Sequence, residues 1–280
     1  MKKSDVIQFL TKRCRNLERH YQNLLEDFEV ESIHLFRVEI KKLRAMLRLL
    51  NAGLQPGSTV HIGNKVHSFY VAVGELRALQ IQKQTVMQCC KKFKCAVPHC
   101  YLAQLHRQET NVWQQVRAIA LQLSLSTFRS RLMKAASKPL NHSTVENFIA
   151  LKKDAVLKLL APGVYTDEQL HQLRKVLKDY LYQWPLIGTG VIASFPKKAL
   201  TDQTFLILTE KLGDFQDMCI ALDFFTKALL RTTAKEEGAV LETFRRDCQN
   251  SKARLKKQLT DHLLALRASL EKRALLFKFY

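Results

Sequence analysis

The sequence predicts an all-α protein built of two similar antiparallel helical-bundle halves related by internal duplication. Three observations carry that expectation. Apolar residues recur at three- and four-residue intervals over long stretches, and strand-like alternation of useful length is missing. Only nine glycines and six prolines interrupt the 280 residues, which suits long helices. Two motifs also recur in the same order in each half. Ile33–Leu50 (IHLFRVEIKKLRAMLRLL) is echoed by Leu170–Trp184 (LHQLRKVLKDYLYQW). Downstream, Val73–Ile81 (VGELRALQI) is echoed by Leu212–Ile220 (LGDFQDMCI), with Gly74 and Gly213 in corresponding places.

A first helix is expected from about Ser4 to Asp27. Ser32 can cap the next, which ends before Gly53 and the Gln55-Pro56-Gly57 turn. A third covers roughly Thr59 to Lys94 and carries Gly74 and Arg77, until Pro98 breaks the chain. Helices from His99 to Leu123 and on to Ala136 complete a first half spanning residues 1–136. Ser137–Ser143, with Pro139 and Asn141, is the boundary. The second half, residues 144–280, opens with a helix from Thr144 to Leu160 and the Pro162-Gly163 turn. Thr166 and Gln169 have the spacing of a capping box, and Pro185 is expected to stop the helix they begin. Trp184–Pro196 reads as a loop, followed by helices from Thr201 to Arg231 and from Lys235 onward.

The second of these helices carries the chemistry. At about 100° per residue, His34, Arg37, Lys41, Arg44 and Arg48 fall within roughly 80° of arc. Phe36, Ile40, Leu43, Leu47 and Leu50 gather on the opposite side. One face can enter a core while the other presents a cationic ladder roughly 20 Å long. A merely solvated face normally mixes signs for support between turns, yet Glu39 is the only acid in the stretch and lies off the stripe. With Ser32 as cap, His34 falls in the first turn, where free N–H groups favour anions. In the second half His171, Arg174 and Lys178 repeat the same steps, flanked by Lys175 and Tyr182. Leu173, Leu177, Tyr180 and Trp184 form the apolar face there. Both stripes are expected to line one basic central channel.

The net charge of +20 is spread along the chain and calls for an anionic partner such as nucleic acid, acidic lipid or polyphosphate. No segment approaches the roughly 18 apolar residues that span a bilayer. The basic start lacks the apolar run of a secretory signal, so a cytoplasmic location is expected. Seven unevenly spaced cysteines fit reduced thiols.

The first stripe resembles the signature of the CHAD domain (conserved histidine α-helical domain), H-x-x-R-V-x-x-[RK]-[RK]-L-R. His34, Arg37, Val38, Lys41, Lys42, Leu43 and Arg44 match it, and His171, Arg174, Lys175, Lys178 and Tyr182 match that family's second-half helix. The resemblance implies two similar helical halves around a basic surface, and binding of inorganic polyphosphate with association to polyphosphate granules. It points to His34, Arg37, Lys41, Lys42, Arg44 and Arg48, with His171, Arg174, Lys175, Lys178 and Tyr182, as the residues that hold the ligand. The chain departs from the family where R-D-x-D follows the first glycine. Here Arg77, Ala78, Leu79 and Gln80 stand there, so both acids are lost, and Asp179 and Leu181 occupy places where basic residues are common.

Polyphosphate offers acceptor oxygens at regular intervals, which suits arginine forks and mobile lysine charge at helical spacing. The alternative is non-sequence-specific binding of RNA or single-stranded DNA. Such binders interleave aromatics with cations so that bases stack, and the stripes offer only Tyr182. Arginines one turn from each histidine disfavour a metal there. Cys89, Cys90, Cys95 and Cys100, with His99 and His106, lack the spacing of a structural zinc site. The triphosphatase motif E-x-E-x-K is absent, since Glu29-Val30-Glu31 runs into Ser32 and Ile33. No catalysis, metal or cofactor is expected.

Overall fold

The apolar periodicity is realised as nine helices and no strand among the described residues of the computed structural model, which are 3–55, 58–136, 140–194, 202–232 and 235–276. They are α1 (Lys3–Asp27), α2 (Val30–Ala52), α3 (Asn64–Phe93), α4 (His99–Ala120) and α5 (Leu125–Ala136). There follow α6 (His142–Leu160), α7 (Asp167–Ser194), α8 (Asp202–Leu229) and α9 (Lys235–Leu276). Neighbours in sequence pack as pairs, α1 on α2, α3 on α4, α6 on α7 and α8 on α9. Further contacts tie these pairs together, α2 against α3, α6 and α7, α8 against α3 and α7, and α6 against α9, while α5 packs on α1 and α2.

The apolar faces do what their phase requires. Phe36, Ile40, Leu43, Leu47 and Leu50 of α2 are buried, as are Leu173, Leu177 and Tyr180 of α7. Phe36 meets Phe69 edge-on at 5.3 Å between ring centroids and Tyr21 at 6.1 Å, joining α1, α2 and α3. One continuous core cluster contains both apolar faces. Burial of each such side chain contributes about 1.5–3 kcal/mol, so α2 and α7 are held by their backs and their basic faces are left over.

Two expectations are corrected. Ser32 does not cap α2, which begins at Val30. Phe28 adopts a left-handed conformation (φ 50°) that turns the chain at once into the new helix. The Asp27 carboxylate accepts from the Glu29 N–H (2.9 Å) and from the Ser32 hydroxyl (3.1 Å), so Ser32 serves a bridge inside the first turn. His34 is therefore the fifth residue of the helix, beyond its free N–H groups.

Pro185 does not stop α7 either, and most of the expected 184–196 loop is helix through Ser194. A proline inside a helix costs about 3 kcal/mol. Here it lies on the exposed side, while the buried face continues through Gln183, which donates to the Ala45 carbonyl of α2, to Ile187. Tertiary packing outweighs local preference.

The capping box is present, with the Gln169 N–H donating to Thr166 Oγ1 (3.1 Å) and the Thr166 N–H to Gln169 Oε1 (2.8 Å). Between α2 and α3, Asn51 clasps both backbone polar groups of Val60 and delays the helix start from Thr59 to Asn64. The Pro56-Gly57 turn, residues 137–139 of the 137–143 boundary, and residues 195–201 lie outside the described residues. No helix among the described residues is long and apolar enough to cross a membrane. All seven cysteines are free.

Candidate functional site

α2 and α7 pack on each other with their apolar residues in the common core, and their basic faces flank one depression. It is a cavity of about 690 Å³. From α2 it receives His34, Arg37, Lys41, Arg44 and Arg48, and from α7 His171, Arg174, Lys175, Lys178 and Tyr182. Eight lysine and arginine side chains line it against two carboxylates, those of Asp179 and Asp217.

Of the eleven residues expected, ten line this cavity and Lys42 does not. At about 100° per residue Lys42 lies roughly 120° from the midline of the stripe, so the helical phase carries it to the back of α2. There it donates to Glu39 (2.8 Å), which also accepts from Arg13 of α1 (3.1 Å). Glu39 is only 3% exposed, and its two cations supply the pairing that a buried carboxylate needs. The family signature counts residues, whereas geometry counts angle.

The remaining walls come from α3 and α8, and sequence reasoning left most of them out. Tyr70, Gly74, Arg77, Ala78, Ile81 and Thr85 recur every three or four residues along one face of α3. The signal was available in the Val73–Ile81 echo, read for its order and not for its phase. From α8 come Gln216 and Asp217.

These walls aim the cations. The Arg37 guanidinium donates through Nη1 to the Tyr70 carbonyl (2.6 Å) and lies 4.3 Å from the centroid of the Tyr70 ring. Arg44 approaches the same ring at 5.5 Å. Gly74 permits this placement, since a Cβ there would come within 2.7 Å of Arg37 Cζ. Arg77 Nη1 donates to the Val30 carbonyl (2.6 Å) at the start of α2. On α7 His171 Nδ1 lies 2.6 Å from Gln216 Oε1 of α8. The two glycines are unequal, because a Cβ at Gly213 would come no nearer than 3.9 Å to Arg174 Nε. That Nε is buried and has no hydrogen-bond partner among the described residues.

The electrostatics carry the mark of crowding. Burial pushes the Lys41 ammonium down to about 8, and Arg37, Arg174, Lys178 and Arg77 add to the depression. Burial likewise lowers Lys178, with Arg174 adding, and lowers His34, with Arg77 adding. Burial and the neighbouring cations thus favour the neutral ring of His34. At the far end of the α2 row Asp179 accepts from Arg48 and from Lys152 of α6. Among the described residues no group of three or more His, Cys, Asp or Glu side chains is placed to hold a metal ion.

Comparison with known proteins bears on this geometry. The chain is similar to PptA from Streptomyces chartreusis, with a TM-score of 0.66, 16% identity, and coverage of 93% of this chain and 98% of that one. It is also similar to the CHAD domain from the plant Ricinus communis, with a TM-score of 0.64, 17% identity, and coverage of 96% and 91%. At these identities the likeness concerns the fold. The search of curated proteins gives no match. The profile of the CHAD domain matches residues 8–226. With most of the chain so matched, and the fold shared with a solved CHAD domain, the protein belongs to the CHAD domain family.

Proposed function

We propose that the protein binds inorganic polyphosphate in the cavity between α2 and α7 and does not turn it over. One observation carries the reading: a cavity of about 690 Å³ concentrates eight cationic side chains against two carboxylates, where burial, with the neighbouring cations adding, pushes Lys41 down to about 8. Holding so many like charges together costs free energy unless an anion lies among them. A linear polyanion with acceptors all along its length relieves that repulsion on both stripes at once. His34, Arg37, Lys41 and Arg44 would grip it from α2, and His171, Arg174, Lys175, Lys178 and Tyr182 from α7. A single-stranded nucleic acid asks in addition for an open aromatic surface, and Tyr70, beside the α2 stripe, carries the Arg37 guanidinium. For turnover the cavity lacks paired acids, since Asp179 is engaged by Arg48 and Lys152 and leaves Asp217 as the other carboxylate. Recruitment to polyphosphate granules is the cellular consequence of this reading.

The test is competition at fixed salt, with labelled long polyphosphate displaced by unlabelled polyphosphate, single-stranded RNA or single-stranded DNA. Polyphosphate is expected to compete at least tenfold better per unit charge than either nucleic acid. Equal competition by all three reduces the cavity to a generic basic surface.

The reading also predicts a pH dependence. An anion among the cations favours the charged form of Lys41, so binding raises the pKa that burial had lowered. Below about 8 Lys41 is already charged and binding takes up no proton. Above it each binding event must supply one, so affinity falls as pH rises, by at most about tenfold per unit from this group. Lys41→Arg keeps its charge throughout and should flatten the profile between pH 7.5 and 9.5, measured by calorimetry in buffers of different ionisation enthalpy. An identical slope in the variant would remove Lys41 from the ligand's path.

A further inference from the structure

Asp179 interrupts the basic pattern of α7. It follows Lys178 directly, lines the same cavity, and has a side chain only 16% exposed. Both its oxygens are engaged: Oδ1 accepts from Arg48 of α2, and Oδ2 from Lys152 of α6 at 3.2 Å. Along α2 from its N-terminal end, a polyanion meets Arg37, Lys41 and Arg44, none of which has a carboxylate partner among the described residues. At Arg48 the situation changes. That side chain is 42% exposed and easily reached, yet a carboxylate is already fixed on it. A phosphate arriving there either abuts Asp179, where like charges in contact repel, or displaces it and strands a largely buried carboxylate on Lys152 alone.

We infer that Asp179 is a specificity-determining residue that ends the binding track at Arg44, so that the cavity grips a polyphosphate segment of limited length instead of letting the chain run on past Arg48. The inference rests on the polyphosphate reading and adds a length selectivity to it. The same bridge also joins α2, α6 and α7, so the test must separate a stop from a clamp. A clamp alters stability and treats every ligand alike. A stop alters only ligands long enough to reach it.

The experiment compares wild type and Asp179→Asn, nearly equal in shape but uncharged, against tripolyphosphate and size-fractionated longer chains. Wild-type affinity should rise with chain length and then level off once a chain covers His34 to Arg44. In D179N the affinity for tripolyphosphate should stay within about twofold, while the longest chains bind about threefold to tenfold more tightly with a steeper salt slope, because Arg48 and Lys152 now join the contact. Adding Arg48→Ala to D179N should cancel that gain. A D179N profile parallel to wild type at every length overturns the stop and leaves a clamp. The wild-type profile tests the same point without a variant, since affinity that keeps rising with length past the plateau contradicts it. Wild type that binds no chain of any length overturns the polyphosphate reading itself, a result distinct from either.

Discussion

Replacing Arg37 and Lys41 together by alanine is expected to weaken binding of long polyphosphate by about 10²-fold or more. Hydrogen bonds to charged groups contribute about 1.5–3 kcal/mol each, and every 1.4 kcal/mol is about tenfold in affinity. The two residues are adjacent rungs in the middle of the α2 row, and both line the cavity. The comparison is with a pair of equal charge elsewhere. Lys256 is unsuitable, because it donates to Asp167 at the start of α7 (2.7 Å) and its loss would disturb that helix. Arg254 and Lys257, both exposed on α9 and away from the cavity, are the better control. Their removal should cost only a few-fold through the general field of the protein. The salt slope should become shallower by about two in the stripe variant, as two fewer counterions are released. Equal losses from the two pairs would dissolve the site into diffuse positive charge. Circular dichroism of both variants should remain that of a helical protein.

Gly74→Ala is expected to weaken binding by about tenfold without loss of stability. The added methyl meets the end of a flexible side chain and not backbone, so the helix need not move. What must move is the Arg37 guanidinium, which gives up its bond to the Tyr70 carbonyl and its seat on the Tyr70 ring. Losing the aim of one charged donor corresponds to about 1.5 kcal/mol or more. Alanine is also favoured over glycine inside a helix by about 1 kcal/mol, so the melting temperature should hold or rise. The same change at Gly213 meets Arg174 Nε at ordinary contact distance and should leave affinity within about twofold. Should the two alanines behave alike, the placement of Arg37 by Gly74 is not what matters.

How much of this was legible in the sequence depends on whether the deciding force is local. The stripes were legible because a helix sorts residues by angle, and both basic faces line the cavity as their phase demands. Lys42 entered through a family signature, and its place away from the cavity, beside the buried Glu39, became visible only once α1 brought Arg13 there. Tyr70 carries no charge to announce it, and its role comes from a neighbouring helix. Pro185 reads as a terminator for any isolated helix. The contact of Gln183 with α2 and the burial of Ile187 are long-range facts that no window around the proline contains. Ser32 was a sound cap by composition, but the left-handed turn at Phe28 started the helix before it.

The buried carboxylate on the back of α2 has a consequence for the front. A helix packed by aliphatic side chains alone can roll about its own axis at modest cost, since one methyl replaces another against the core. Glu39 forbids that freedom. Turning α2 by even part of a residue would draw its carboxylate away from Arg13 and leave Lys42, which turns with it, as its remaining partner in a site that is 3% exposed. The azimuth of the helix is thereby locked from behind, and the bearing of every cation on its far side is set by an acid that never meets the ligand.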